Sequence, residues 1–173
     1  TSLSSVTIPD DVTSLGQYAF DGCTGLRELI LPISLNTVGH NTYSAFSECA
    51  ELREVTFTAG TGEGYNYGPK SFPSYSDYYM FTPWYLSKDS LVSGFLDEGI
   101  TSIGNGAFSY CESLCEISLP DTLESIGATA FAHSTSLMEI SIPESIDTIS
   151  HSTFAYCTSL KSASLPNGIL EIP

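Results

Sequence analysis

The sequence is poor in positive charge and has no long hydrophobic run. Five lysine and arginine residues stand against 20 aspartate and glutamate residues, so the formal net charge is −15 at pH 7. This balance argues against a partner rich in phosphate, such as nucleic acid or an anionic membrane, because binding phosphate requires lysine and arginine. No apolar run approaches the ~18 residues that span a bilayer, and this segment, which we expect to be part of a longer protein, contains no signal peptide. We therefore expect neither nucleic-acid binding nor membrane insertion of this segment.

The sequence also lacks the motifs of the common catalytic and metal sites. It has no C-x-x-C pair, no G-x-x-x-x-G-K-[ST] loop, no dinucleotide fingerprint and no D-x-D-x-D-G phrase. The three histidines, His40, His133 and His151, lie beside no nucleophile and acid that would complete a catalytic set. We therefore expect no enzyme activity, no catalytic residue, no cofactor and no metal site.

What the sequence does contain is a repeat. Leucines open similar phrases at spacings of 23, 26, 39, 23, 23 and 23 residues. Each complete unit begins L-x-x-φ-x-φ-P, where φ is apolar, and this alternation predicts a half-buried strand that the proline ends. The phrase φ-x-x-φ-G predicts a second, shorter extended segment, and A-F-x-x-C predicts a helical turn. Units 1 to 7 open at Leu3, Leu26, Leu52, Leu91, Leu114, Leu137 and Leu160.

A unit of 23 residues cannot bury a core alone, but stacked units share one. We expect the first strands of neighbouring units to pair in parallel, ~4.8 Å apart. The phenylalanine of each A-F-x-x-C phrase should then lie inside the stack, above the phenylalanine of the previous unit. The predicted aromatic column consists of Phe20, Phe46, Phe108, Phe131 and Phe154.

The repeat phrase resembles the BspA-like leucine-rich repeat family of bacterial and protist surface proteins. The resemblance implies an α/β repeat fold: a right-handed leucine-rich repeat solenoid with a parallel β ladder, short helical turns and one aromatic-rich insertion. It also implies an extracellular or cell-surface protein that acts in adhesion or protein binding without catalytic residues. In unit 5 the phrase is carried by Ile117, Leu119, Pro120, Ile126, Gly127, Ala130 and Phe131, whereas Ser134, Ser150 and Thr153 are size-compatible departures.

An insertion at residues 58–90 separates units 3 and 4 and holds nine aromatic residues among glycines and prolines. Tyrosine and tryptophan give a large contact area with a polar tip, so this loop is a candidate platform for a glycan or a peptide. The alternative is that Phe81 and Trp84 anchor the loop in a small hydrophobic cluster of its own. The candidate binding residues of the insertion are Tyr65, Tyr67, Tyr75, Tyr78, Trp84 and Tyr85.

The outward face of the predicted strand ladder is acidic. The third position of several units is glutamate, and the fifth position is mostly a hydroxyl residue. Stacked glutamates repel one another. Arg27 and Arg53 can relieve the repulsion between Glu28 and Glu54, but Glu116 and Glu139 have no arginine beside them. This face either binds a cationic partner or a divalent cation, or it keeps the sheet soluble. Its candidate binding residues are Glu28, Glu54, Phe95, Glu116 and Glu139.

Four of the five cysteines occupy the last position of the A-F-x-x-C phrase, where we expect them to be core residues. Cys23 and Cys49 lie in adjacent units, so the sequence leaves undecided whether they form a disulfide. Cys115 flanks a strand and should be a partly exposed free thiol.

The sequence therefore predicts a single leucine-rich repeat domain over residues 1–173, as part of a longer protein. The leading hypothesis for function is a non-catalytic extracellular module for protein interaction or adhesion, with a protein or peptide partner on a host or cell surface. The alternatives are a carbohydrate-binding module that uses the insertion, and a structural spacer that displays a neighbouring domain.

Overall fold

The computed structural model describes residues 3–32, 37–38, 45–46, 48–58 and 89–169. In these ranges, each unit contributes a first strand, and two neighbouring pairs of second segments add short strands. The strands are β1 (Ser5–Thr7), β2 (Ser14–Leu15), β3 (Glu28–Pro32), β4 (Thr37–Val38), β5 (Glu54–Thr58), β6 (Ser93–Leu96), β7 (Ser102–Ile103), β8 (Glu116–Ser118), β9 (Ser125–Ile126), β10 (Glu139–Ser141) and β11 (Ser162–Ser164).

The strands pair in parallel with the same register from unit to unit, which confirms the predicted ladder. The first strands form a five-stranded sheet in the order β1-β3-β5-β6-β8, followed by a separate pair, β10-β11. The second strands form the pairs β2-β4 and β7-β9. In the first sheet, Leu29 lies between Val6 of β1 and Val55 of β5, so equivalent apolar positions face each other.

The alternation of the residues sends every second side chain of the inner first strands into the core, whereas all three residues of β11 are exposed. In β8 the central Ile117 is 8% exposed, while Glu116 and Ser118 on either side are exposed. In β10 the central Ile140 is buried in the same way. The strand face outside the core is therefore polar, as the sequence predicts, because successive side chains of a strand point to opposite faces.

The phenylalanines stack inside the solenoid, which confirms the predicted aromatic column. The ring of Phe131 lies 5.5 Å from that of Phe108 and 5.6 Å from that of Phe154, with nearly parallel planes. Near the start of the chain, Phe20 and Phe46 stack at 5.2 Å. Since burial of one such ring contributes about 1.5–3 kcal/mol, the column is a main source of cohesion between units.

The predicted helical turns at the phenylalanines do not form: no described residue is helical. The reason is backbone conformation. In unit 5, Thr129 and His133 lie two residues before and after the phenylalanine with φ of 54° and 62°, which is the left-handed region. A right-handed helix cannot pass through such residues. Instead, Phe131 N–H donates to Thr153 O of the next unit at 2.9 Å, so the turns form a ladder of their own.

Candidate interaction surface

The polar strand face brings one pair of the predicted glutamates together as register partners. Glu28 of β3 is the direct register partner of Glu54 of β5. Glu116 of β8 faces Ser93 on its upstream side, and Glu139 of β10 faces Ser162 on its downstream side. Glu116 and Glu139 are thus the residues that would face each other if β8 and β10 were paired.

Phe95, the apolar member of the predicted binding residues, lies in the middle of this face. It faces Thr56 of β5 on one side and Ser118 of β8 on the other, and it is half-buried. Phe95 therefore presents part of a ring between two hydroxyl side chains.

One of the two arginines near the first glutamate pair forms an ion pair outside that pair. Arg53 forms an ion pair with Glu51 at 3.7 Å, rather than with Glu54, and both side chains of this pair are exposed. Exposed pairs of this kind contribute about 0–1 kcal/mol. The positive charge of Arg53 nevertheless stays beside the acidic column, one residue before Glu54.

The strand ladder is interrupted once, between β8 and β10, which belong to different sheets. At every other described step between first strands, the backbone N–H of the second residue of a unit donates to the carbonyl of the second residue of the unit before. The bond from Met138 N–H to Cys115 O is missing from this series. The bonds present are Arg27 to Ser4 (2.8 Å), Arg53 to Arg27 (2.9 Å), Val92 to Arg53 (2.7 Å), Cys115 to Val92 (2.9 Å) and Lys161 to Met138 (2.9 Å).

A second bond is missing at the other end of the same strands. Between β10 and β11, Ile142 N–H donates to Ser164 O at 2.9 Å. The equivalent bond between β8 and β10, from Leu119 N–H to Ser141 O, is not formed. We call the step from β3 to β5 the closed junction and the step from β8 to β10 the open junction.

The open junction is closed at its turns. On the turn side, units 5 and 6 remain joined by three main-chain bonds, among them Phe131 N–H to Thr153 O (2.9 Å) and His133 N–H to Ala155 O (2.8 Å). Main-chain hydrogen bonds therefore join the two units at their turns but not at their first strands.

A groove of about 910 Å³ lies on the strand face over the open junction. Residues of both β8 and β10 line it, among them the buried Ile117 and Ile140. Its charged residues are the acidic Glu116, Asp121 and Glu139 and the basic Lys161. The lining also includes Cys115, Met138, Pro143 and the serines Ser118, Ser141, Ser162 and Ser164.

Sequence reasoning identified the two glutamates of this groove but not the groove itself. The sulfur side chains Cys115 and Met138 stand where Arg27 and Arg53 stand in units 2 and 3. This loss of positive charge beside a glutamate pair is the sequence signal that marks the open junction.

The cysteine position also has a role that its apolar character did not predict. Cys157 Sγ donates to Phe131 O at 3.0 Å, and Ser134 Oγ at the equivalent position donates to Phe108 O at 2.9 Å. Burial, with a smaller effect of the neighbouring Cys23 thiol, raises the pKa of Cys49 to about 11, and burial also raises the pKa of Cys157. These thiols therefore stay protonated at neutral pH and keep their donor role. All five cysteines are free thiols, Cys23 and Cys49 included.

A second aromatic column, outside the core, was not predicted. His133 stacks between Tyr110 at 4.2 Å and Tyr156 at 4.4 Å, and Tyr156 is 69% exposed. These residues lie two positions after the phenylalanines of units 4 to 6, so the repeat spacing of 23 residues could have revealed the column.

The remaining candidates of the sequence lie elsewhere. Tyr65, Tyr67, Tyr75, Tyr78, Trp84 and Tyr85 are outside the described residues, so their role in binding stays a prediction. In the described part of the chain, no group of three or more histidine, cysteine, aspartate or glutamate side chains could hold a metal ion. The same part contains no helix with the length and apolar character of a membrane span.

Comparison with protein families gives a match over nearly the whole chain. The model of the BspA type leucine rich repeat region matches in six copies, over residues 1–82 and 84–173. No curated protein sequence matches the chain significantly.

Comparison with solved structures supports the same fold. The chain is similar to a leucine-rich repeat protein of T. pallidum, with 21% identity and a TM-score of 0.61, over 96% of this chain and 72% of that one. It is similar to a leucine-rich repeat protein of Bacteroides ovatus, with 22% identity and a TM-score of 0.61, over 97% of this chain and 44% of that one. A leucine rich cell surface protein of Faecalibacterium prausnitzii has 27% identity and a TM-score of 0.50, over 99% of this chain and 50% of that one. The chain thus spans half or less of the length of two of these proteins.

Proposed function

Because the chain belongs to the BspA-type leucine-rich repeat family, we propose that it is a non-catalytic protein-interaction module that binds its partner through the polar strand face. Proteins of this repeat family are in general scaffolds for protein interaction. We further propose that it acts outside the cell or on the cell surface, in adhesion. The similarity to a cell surface protein of Faecalibacterium prausnitzii supports this location.

The observation that carries the proposal is the groove over the open junction. A solvent-exposed sheet face that serves only as a scaffold needs no recess, yet this face has one of about 910 Å³ with charged and hydroxyl groups around it. A face of this composition suits a protein or peptide partner, because hydroxyl and carboxylate groups arranged around a partly apolar floor resemble the polar rim and apolar centre of a protein interface.

The proposal is tested by placing bulky side chains on this face. Ser118 and Ser141 are exposed groove residues, so Ser118→Tyr/Ser141→Tyr should fill the groove without disturbing the core. Thr24 and Thr158 are exposed residues away from the strands and supply the matched control, Thr24→Tyr/Thr158→Tyr. The three proteins are applied to an array of purified extracellular proteins, and partners that bind the parent chain are measured by biolayer interferometry.

We expect the groove variant to lose the partners that the control variant retains. If both variants bind every partner as the parent does, the strand face is not the binding surface and the structural-spacer hypothesis is favoured. If a variant without residues 60–88 loses all binding while the groove variant loses none, the aromatic insertion is the binding element instead.

A further inference from the structure

We propose that Asn167 is a site of self-modification, where ring closure with Gly168 converts the asparagine into aspartate and isoaspartate. The chain contains two asparagines that are followed by glycine, Asn105 and Asn167. Both dipeptides have the composition that this reaction requires, but the structure blocks the reaction at the first and permits it at the second. The inference is independent of the proposed function.

The reaction needs a free main-chain nitrogen and water. The glycine nitrogen attacks Cγ of the asparagine, so that a new N–C bond forms, the bond from Cγ to Nδ2 breaks, and ammonia leaves with the proton of the glycine N–H. Water then opens the cyclic imide at one of its two carbonyl groups, which yields aspartate or isoaspartate. Glycine favours the attack because it has no side chain beside the nitrogen and has a flexible backbone.

At the first dipeptide, both reacting groups are held by the next unit. Gly106 is buried with φ of 64°, and its N–H donates to Ala128 O at 2.9 Å. The side chain of Asn105 is fixed as well, because its Oδ1 accepts Ala128 N–H at 2.8 Å. Attack by the Gly106 nitrogen would first require these hydrogen bonds to open, which costs free energy.

At the second dipeptide, the attacking nitrogen is free. Asn167 and Gly168 are both exposed, in a turn that Ile169 N–H closes by donating to Pro166 O at 3.3 Å. Among the described residues, no hydrogen bond uses the N–H of Gly168. A Cβ atom placed on Gly168 would meet no other atom within 4 Å, so the glycine also has room to move toward the side chain of Asn167.

Glu144 explains why this nitrogen is free. Its carboxylate accepts both the N–H and the Nδ2 of Asn167, each at 3.1 Å. One repeat earlier, the equivalent carboxylate of Glu98 accepts the N–H of Thr122, which is the counterpart of Gly168, at 3.3 Å. The side-chain amide of Asn167 thus occupies the acceptor that engages the next N–H in unit 5.

The fold accepts the aspartate product. Asp10 and Asp121 occupy the position of Asn167 in other units, directly after the proline. Asp121 N–H donates to a glutamate of the previous unit at 3.1 Å, as Asn167 N–H donates to Glu144. Conversion of Asn167 to aspartate keeps this main-chain bond and removes the bond from Nδ2. We therefore expect this product to stay folded with one more negative charge.

The test follows both asparagines in one sample. The folded chain is incubated at mildly alkaline pH and physiological temperature, quenched with acid and digested with pepsin at acidic pH, where ring closure is slow. Liquid chromatography with mass spectrometry measures the conversion at Asn105 and at Asn167 and separates aspartate from isoaspartate. The reference is the chain unfolded in guanidinium chloride, in which neither glycine N–H is held by a neighbouring unit.

We expect Asn167 to convert at least about tenfold faster than Asn105 in the folded chain, a difference of about 1.4 kcal/mol in activation free energy. In guanidinium chloride this difference should disappear. If both asparagines convert equally fast in the folded chain, or if Asn167 converts only after unfolding, the proposal is wrong.

A variant tests the role of the glycine nitrogen. Gly168→Ala places a methyl group beside that nitrogen, and it should fold because Gly168 lies outside the left-handed region and has space for a Cβ. We expect it to slow the conversion of Asn167 about tenfold and to leave that of Asn105 unchanged. An unchanged rate at Asn167 would mean that the amide is lost without ring closure and would overturn the proposal.

A second variant tests the product. Asn167→Asp should melt close to the parent temperature, because the turn accepts aspartate. A melting temperature far below that of the parent would contradict the expected accumulation of folded, modified chains.

Discussion

Two pairs of glutamates occupy equivalent positions of neighbouring strands, and the ladder is intact at one pair and broken at the other. Glu28 and Glu54 face each other across the closed junction, where Arg53 N–H donates to Arg27 O at 2.9 Å. Glu116 and Glu139 bracket the open junction, where the bond from the equivalent N–H is missing. The repeat phrase is the same in both places, so the difference must come from the residues that vary within it.

The residue before each glutamate is the clearest difference. It is arginine at the closed junction, in Arg27 and Arg53, and an uncharged sulfur residue at the open junction, in Cys115 and Met138. Like charges directly opposite on paired strands are destabilising by a few tenths to about 1 kcal/mol. A ladder bond at an exposed edge contributes a net of about 0.5–1.5 kcal/mol, since water replaces it when it opens. The two effects are of similar size, so we expect neighbouring positive charge to influence which junction closes.

The core should hold the open junction together in place of the missing bonds. Phe131 stacks on Phe108 and on Phe154, so its ring bridges units 4, 5 and 6. We expect Phe131→Ala to lower the free energy of unfolding by about 3–5 kcal/mol, as measured by urea denaturation. Phe46→Ala at the start of the chain is the matched comparison and should cost less than Phe131→Ala, because paired strands still join units 1 to 3. A loss below about 1 kcal/mol for Phe131→Ala would contradict the role of the column.

The thiol bond across the open junction should be the next largest contribution. Cys157 Sγ donates to Phe131 O at 3.0 Å, and Cys157→Ala leaves that carbonyl without this donor. We expect a loss of about 1–2 kcal/mol in urea denaturation. Cys157→Ser should recover most of this loss, because Ser134 makes the same bond to Phe108 O one unit earlier. Equal losses for the alanine and serine variants would assign the effect to packing instead.

The sequence predicts the strands and the core well because both depend on one periodic pattern. The alternation around Ile117 predicts a strand, and the recurrence of Phe108 and Phe131 predicts stacking. Neither prediction requires the contacts between units to be known. The helical turns predicted at A-F-x-x-C are not confirmed, because that phrase is compatible with a helix by composition but no described residue is helical. His133 has a left-handed conformation and its N–H donates to Ala155 O of the next unit, a bond that a single unit does not contain.

The candidate surface could be predicted only in part, for a related reason. Glu116 and Glu139 were identified from their column, since a register position can be counted along the chain. The groove depends on whether two bonds between β8 and β10 form, and that outcome is decided by a small difference between repulsion and hydrogen bonding. Periodicity predicts which face a residue occupies, but it does not predict the balance between charge repulsion and hydrogen bonding.

An exchange of the residues before the glutamates should convert one junction into the other. We expect Cys115→Arg/Met138→Arg to close the open junction and to raise the free energy of unfolding by about 0.5–1.5 kcal/mol. The direct readout is amide hydrogen exchange, in which the Met138 N–H should become protected. The reciprocal variant, Arg27→Cys/Arg53→Met, should reduce the protection of the Arg53 N–H. If the Met138 amide exchanges equally fast with and without the new arginines, charge does not decide the state of the junction.

The removal of one glutamate charge should have the smallest effect on stability. It tests the repulsion between the glutamates without adding an arginine. Glu139→Gln keeps the size of the side chain and removes the like charge opposite Glu116, so we expect a gain of about 0.2–1 kcal/mol in the free energy of unfolding. Glu54→Gln at the closed junction should change stability by less, because Arg27 and Arg53 place positive charge one residue before each glutamate of that pair. Both variants are measured by urea denaturation at low and at high salt. Salt should reduce the gain of Glu139→Gln, since screening weakens the repulsion in the parent chain; a gain that does not depend on salt would point to hydrogen bonding by the new amide.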